Sequence, residues 1–259
     1  MSETLLTRRR LMVALATSTL GGCKVLDGLS APDNRLRQFM ERANDLTMAM
    51  QRGVLDRDAL APEFSRSDIR QPQRPNGVTD PQDPDYVAHK AANFATYRLQ
   101  VGGLVQRPLS LSLDDLRTMP TRDQITRHDC VEGWSCIAEW TGVPLSHVLG
   151  LAGVRPSARF VLFHCFDTIE RSLSGAVRYY ETIDLVDARH PQTILAWGLN
   201  GGTLPVPNGA PLRVRVERQL GYKMAKYIRA IELVDDFSAF GGGRGGYWED
   251  RGYEWYAGI

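Results

Sequence analysis

Three observations in these 259 residues predict an α+β fold around a mixed sheet. Runs of strand length and strand period recur at 96–101, 159–166, 193–199, 212–217 and 227–234. Short helix signals with recognisable caps fall between the earlier runs. The chain is long enough to bury one substantial core, and 31 Lys and Arg against 30 Asp and Glu make an ordinary globular balance. That balance gives no reason to expect a nucleic-acid partner.

The first element is Thr7-Arg8-Arg9-Arg10-Leu11-Met12 with a mildly apolar run behind it, too short to span a bilayer. It reads as a twin-arginine export signal, which carries a folded protein to the periplasm. Leu20-Gly21-Gly22-Cys23 closes the signal as a lipobox with Cys23 as the lipidated residue, so 1–23 are assigned to it. The competing reading is cleavage near Ser30-Ala31, where Leu29 fits a small-x-small site badly. Residues 24–95 form a second segment. Leu36, Phe39, Met40, Ala43, Leu46 and Met50 recur at helical spacing and make an amphipathic arm. Pro72, Pro75, Pro81 and Pro84, with Asn76-Gly77, exclude helix and central strand over 71–85, which is expected to wrap as an extended loop.

The main domain is placed at 96–240. Tyr97, Leu99 and Val101 alternate with polar neighbours before Gly102-Gly103, a strand and a turn. Ser112 and Asp115 make a capping box for a short helix that Pro120 stops. A strand then runs into Cys130 and a Gly133-Trp134 turn. Residues 144–151 read as a short helix closed by Gly153, and 159–166 as a buried strand. Asn200-Gly201 marks a tight turn after 193–199. The last segment, 241–259, is glycine-rich and aromatic without periodicity, and its aromatics are expected to pack rather than to cover a pocket.

Two blocks carry the chemistry. Asp129-Cys130-Val131-Glu132-Gly133-Trp134-Ser135 ends a strand on a thiol, where a rigid element can aim a soft metal ligand into a pocket. With Cys23 in the signal, Cys130, Cys136 and Cys165 leave an odd thiol in an oxidising compartment, which favours a ligand role. The second block is Asn208-Gly209-Ala210-Pro211-Leu212-Arg213 followed by Gly221-Tyr222-Lys223-x-x-Lys226. It supplies glycines for close backbone approach and cations for an anionic group. Arg213, Arg215 and Glu217 share one face of their strand, which is a solvated face or an anion site. Other readings of the thiols stay open: buried structural cysteine, a Cys130–Cys136 disulfide, or a nucleophile paired with histidine. A zinc site from His128, Cys130, Cys136, His164 and Cys165 is another, with poor spacing. His147 and His190 are isolated and read as structural or surface residues.

Cys130-Val131-Glu132-Gly133-Trp134-Ser135, Gly142-Val143-Pro144-Leu145, the 208–213 block and the 221–226 block, in this order, resemble the oxidoreductase molybdopterin-binding domain of the sulfite oxidase family. The likeness runs over about residues 97–235 and within the family is strongest to the catalytic subunits of bacterial periplasmic methionine-sulfoxide reductases. It implies a sulfite oxidase-like mixed-sheet domain holding molybdenum-molybdopterin, with Cys130 as the single protein thiolate on the metal and the residue catalysis depends on. It also implies pterin and phosphate contacts from Asn208, Arg213, Gly221, Tyr222 and Lys223, a further cation from Lys226, and a contact from Cys165, where the reductases have threonine. Asn93-Phe94 is a candidate contact ahead of the first strand. Glu132-Gly133-Trp134-Ser135 stands where sulfite oxidases carry an Asn-Arg-Arg run for a small oxyanion, so sulfite is not the expected substrate.

The resemblance implies an exported oxidoreductase moving an oxygen atom or two electrons, with reduction of an S-oxide the first expectation. The chain has no Cys-x-x-Cys-His haem motif, so a separate membrane or soluble electron carrier is the expected partner. About two dozen residues follow Asp235, too few for the family's dimerisation domain, and a monomer is expected. The alternative from another class is a lipoprotein that binds an anion or a partner on the same fold without turnover.

Overall fold

The computed structural model describes residues 35–54, 56–172 and 175–259. The export signal, the lipobox and Cys23 lie outside the described residues. The chain divides into two units, 1–51 and 52–259. The described part of the first belongs to helix α1 (Arg35–Val54), on which Phe39, Leu46 and Met50 are exposed. The second opens with Arg52, whose guanidinium pairs with Asp184 at 3.0 Å and Asp187 at 2.9 Å.

In the second unit the elements run α2 (Pro84–Ala91), β1 (Leu99–Gly103), β2 (Leu109–Leu111), α3 (Leu113–Thr118), β3 (Arg122–Cys130), β4 (Trp134–Pro144) and α4 (Leu145–Ala152). They continue with β5 (Phe160–Ser172), β6 (Gly175–Asp184), α5 (Leu185–Ala188), β7 (Ile194–Leu199), β8 (Gly202–Thr203), β9 (Arg213–Arg215) and β10 (Ile228–Val234). One sheet has the order β2-β1-β10-β5-β6, with β1 and β10 parallel and the other neighbours antiparallel, so it is mixed. The other has the order β3-β4-β7-β8, with β9 added to β7, and is antiparallel throughout.

Local chemistry explains several of these boundaries. Ser112 and Asp115 form the reciprocal capping box of α3, with the Asp115 backbone N–H donating to Ser112 Oγ at 3.0 Å. Gly153, in the left-handed region at φ 70°, ends α4. Asn200 and Gly201, at φ 51° and 76°, turn β7 into β8. The main core packs Leu99, Val101, Phe163, Ile231 and Leu233 of the mixed sheet with Leu145, Val148 and Leu149 of α4 and Val214 beside them.

Three elements depart from the sequence expectation. Helix α2 starts inside the segment read as extended loop, because Pro84 takes the first helical position behind the Asp83 cap, where the missing N–H costs nothing. Strand β4 was hidden by reading Trp134 as turn, although Cys136, Ala138 and Trp140 alternate inward behind it. Strand β6 was hidden by its exposed N-terminal half and by Glu181, a charge buried at an inward position. Segment 56–82 hydrogen-bonds to the β3–β4 hairpin, Phe64 N–H to Ile125 O at 2.9 Å and Arg70 N–H to Ile137 O at 3.1 Å.

Candidate cofactor and active site

Cys130 is the last residue of β3 and stands opposite Trp134 across the hairpin. The turn between them is closed by Gly133, at φ 83°, whose N–H donates to Cys130 O at 3.0 Å. This fixes the thiol at the wall of a cavity of about 360 Å³. The cavity is also lined by Val131 and Glu132 of the turn, Asp167 and Ile169 of β5, and Tyr179 of β6. Gly221, Tyr222, Met224 and Lys226 come from the loop after β9, Val78 from the wrapping segment, and Trp248 and Tyr253 from the C-terminal tail. Burial holds the Cys130 thiol above its ordinary pKa, so a metal must displace its proton to bind. Cys130, Cys136 and Cys165 are all free, and no Cys130–Cys136 disulfide is present.

The polar face of β9 is not solvated. Arg215 and Glu217 form a fully buried ion pair at 2.7 Å, and Arg215 reaches His128 Nδ1 at 2.8 Å while stacking over Trp140. Because an arginine only donates, Nδ1 accepts and Nε2 carries the hydrogen. Burial and Arg215 keep His128 neutral, with its pKa well below the ordinary value. Its Nε2 is buried without a partner. Gly221 lies against it, and a Cβ there would come within 2.5 Å of Nε2, so only glycine lets the backbone pass.

Asn208, Arg213 and Lys226 come together. The Asn208 carbonyl accepts from Arg213 at 2.9 Å, and Asn208 Nδ2 donates to Gln73 O at 3.3 Å. A Cβ on Gly209 would meet the Lys226 and Arg213 stems at 3.1 and 3.2 Å. Lys226 Nζ donates to the carbonyls of Asn76, Val78 and Pro207 at 2.5, 2.6 and 3.2 Å. Three carbonyl acceptors match the three donors of an ammonium. Burial and the neighbouring Arg213 pull Lys226 down to about 7, and burial lowers Arg213 to about 9. Neither makes an ion pair among the described residues, and Arg213 Nε is buried with no partner.

Lys223 sits elsewhere. Its ammonium is completely buried between Glu181 and Glu249, at 2.5 Å from each. It lies outside the cavity lining and holds the tail, through Glu249, to β6. Tyr222 backs the cavity from the same turn, its hydroxyl donating to Glu254 O at 2.7 Å. Cys165 is buried in β5 opposite Ile228 and borders a separate groove of about 700 Å³ over the mixed sheet, not the Cys130 cavity. Asn93 and Phe94, both left-handed at φ 47° and 59°, also lie off the cavity lining, with Phe94 packed on Tyr86.

Sequence reasoning missed Asp167, Ile169, Tyr179 and Val78 as cavity residues. One signal was present for Asp167: it is an ionisable side chain closing an apolar strand run. It is 4% exposed, its Oδ1 has no partner, and burial pushes its carboxyl up to about 7 against the pull of Lys226.

The family model described as the oxidoreductase molybdopterin binding domain matches residues 86–239, and the chain belongs to that family. It is therefore a molybdopterin-dependent oxidoreductase of the sulfite oxidase family. Among curated proteins it is 36% identical over 244 residues to the "Putative protein-methionine-sulfoxide reductase subunit YedZ1" of Azospira oryzae, covering 93% of this chain and 84% of that one. It is 38% identical over 163 residues to the protein-methionine-sulfoxide reductase catalytic subunit MsrP of Xanthomonas axonopodis pv. citri, covering 61% of this chain. The chain spans 50% of the length of that relative. Among solved structures, the sulfane dehydrogenase SoxCD of Paracoccus pantotrophus aligns with TM-score 0.49 and 24% identity over 55% of this chain and 39% of that one.

The residues fit the cofactor. Among the described residues no three His, Cys, Asp or Glu side chains converge on a metal position, so a metal at Cys130 must arrive with most of its own ligands, as molybdenum does on a pterin dithiolene. The zinc reading loses its ligand set by the same observation. The buried Arg213 and Lys226, with no carboxylate partner, present the charge an anionic phosphate neutralises. The orphaned Nε2–H of His128 beside Gly221 is a further donor awaiting an acceptor.

Proposed function

We propose that this oxidoreductase reduces an S-oxide to a thioether in the Cys130 cavity. The observation that carries the reading is the character of the cavity wall. Val78, Val131, Ile169, Met224, Trp248 and Tyr253 make it largely apolar and aromatic, and its one cation among the described residues, Lys226, is the one the cofactor's phosphate would neutralise. With Lys226 engaged by the cofactor, a small anion such as sulfite meets no further cation among the described lining residues, whereas a neutral S-oxide on an alkyl chain fits the apolar walls. The names of the relatives point to a methionine sulfoxide side chain.

Cys130 would hold the metal, with Asn208, Arg213, Gly221, Tyr222 and Lys226 holding the pterin and its phosphate, and Lys223 and Cys165 supporting that frame from behind. Bound there, the cofactor supplies two-electron oxygen-atom transfer. The protein's part is to exclude water, orient the S-oxide against the aromatic wall and provide protons. We assign the chain to the periplasm by the twin-arginine route, anchored through a lipidated Cys23, working as a monomer with a separate one-electron carrier in the membrane or in solution.

The test is turnover. The protein is expressed with its signal in a host that makes molybdopterin, then assayed with a reduced dye as one-electron donor. Oxidation of the dye by methionine sulfoxide and a methyl sulfoxide, with no oxidation of sulfite, is the expected result. Loaded protein that turns over sulfite but no S-oxide would overturn the substrate assignment, and loaded protein inert to both would favour the non-catalytic binding role.

A further inference from the structure

Two carboxyl groups line the cavity among the described residues: Glu132, which accepts from Trp134 Nε1 at 2.9 Å, and Asp167, which no role above uses and which is there because of an irregularity in β5. The β5–β6 register passes from His164 opposite Tyr180 to Thr168 opposite Arg178, so β5 carries extra residues between the two pairs. Bulges of this kind re-aim side chains and gather beside active sites. Here the bulge turns Asp167 away from the ladder into the wall that also holds Cys130. The carboxyl is 4% exposed and its Oδ1 meets no donor. A buried polar atom without a partner, on a side chain that lines a cavity, calls for an explanation such as a ligand that completes it.

Its surroundings favour the neutral acid. Burial raises the carboxyl above the ordinary carboxylate range, and Lys226 opposes this. Lys226 is oriented by the carbonyls of Asn76, Val78 and Pro207 and makes no bond to Asp167. The other titratable groups facing Asp167 are Tyr86, Tyr179, Tyr227 and Cys165, each itself raised by burial and therefore neutral.

We propose that Asp167 is the acid of the Cys130 cavity, donating a hydrogen bond to the oxygen of a bound S-oxide and passing it a proton as the S–O bond breaks. This rests on S-oxide reduction as the reaction of this site. The overall change is one S-oxide, two protons and two electrons giving one thioether and one water. Sulfur is reduced, an external one-electron carrier is oxidised twice, one proton comes from Asp167 and the other from solvent. Water then leaves, and solvent restores the Asp167 proton.

The experiment uses the full-length protein loaded with cofactor, in wild-type, Asp167→Asn and Asp167→Glu forms. General-acid loss predicts that Asp167→Asn lowers kcat by about 100-fold or more with KM for a methyl sulfoxide little changed. Wild-type kcat should fall as pH rises past neutrality, since the acid works protonated, and this alkaline limb should vanish in Asp167→Asn and return in Asp167→Glu. A second reading needs no turnover: the infrared spectrum of wild type minus Asp167→Asn should show a protonated-carboxyl band that disappears as pH rises. Subtraction removes the buried Glu181, which is common to both samples. An Asp167→Asn protein of wild-type kcat and pH profile, or the absence of the carboxyl band in a folded sample, overturns the role. Should wild type itself reduce no S-oxide while the band is present, the substrate reading fails and the neutral acid stands.

Discussion

Lys223 and Lys226 stand three residues apart in one motif, both are buried, and the protein treats their charges in opposite ways. Lys223 is compensated twice over, by Glu181 and Glu249, and pulls the C-terminal tail onto β6. Lys226 lies beside a second cation, Arg213, with carbonyl oxygens but no carboxylate bonded to it. A buried charge paired inside the protein is architecture, and a buried charge left unpaired at a cavity is an opening for a ligand of opposite sign. The difference separates scaffold from site within six residues.

The largest expected effect comes from the other wall of the same cavity. Cys130→Ala removes the only thiol lining it among the described residues, and molybdenum-dependent turnover should fall by more than about 100-fold, beyond the roughly 10- to 100-fold typical of losing a partner one shell out from a metal. Steady-state assays of purified, folded variant check this. Next is Lys223→Met, which leaves two carboxyls buried without their cation and should cost about 3–5 kcal/mol in urea unfolding of the cofactor-free protein. Lys226→Met should cost less than about 2 kcal/mol there, yet weaken cofactor retention by about ten- to hundred-fold, the worth of a charge-assisted contact. Equal behaviour of the two lysine variants would erase the comparison.

Acid should act through His128. Its folded pKa lies below the ordinary 6.5, so below that pH the unfolded chain takes up a proton the folded chain refuses. The His128 contribution to stability therefore falls as pH drops below about 6.5, by about 1.4 kcal/mol per pH unit. The raised Asp167 carboxyl gives an opposite slope, so the His128 share is read from the difference between wild type and variant. His190, also lowered by burial, adds to the same slope. His128→Gln should remove its share and leave that of His190, as urea titrations between pH 5 and 7 would show. The smallest effect is at the aromatic wall: Trp248→Leu should raise KM for a methyl sulfoxide by about three- to ten-fold, the worth of one aromatic contact.

Much of the frame was legible because its signals are local. The α3 capping box, the Gly153 stop and the Asn200-Gly201 turn each depend on neighbouring residues, and each forms where the sequence places it. Cys130 at the end of a strand and the grouping of Asn208, Gly209 and Arg213 were legible for the same reason. What was hidden depends on distant partners. Nothing in Gly221-Tyr222-Lys223 announces that Lys223 belongs to Glu181 and Glu249, dozens of residues away on either side. The polar face of β9 read as a solvated face or an anion site, and its cover was hidden because Trp140 and His128 come from strands far earlier in the chain. Asp167 escaped notice because a bulge, set by pairing with β6, decides where it points. The tail was expected to pack, and Tyr247 does, at 2% exposure, while Trp248 and Tyr253 also form cavity wall.

The most direct measurement is molybdenum by mass spectrometry and pterin by fluorescence, per folded chain, in wild type, Lys223→Met and Lys226→Met purified from a host that makes molybdopterin. Near-stoichiometric metal and pterin in wild type, retained in the folded fraction of Lys223→Met and depleted in Lys226→Met, is the predicted result. Full retention in Lys226→Met with depletion in Lys223→Met would contradict it and move the anion site to the lysine now assigned to the scaffold.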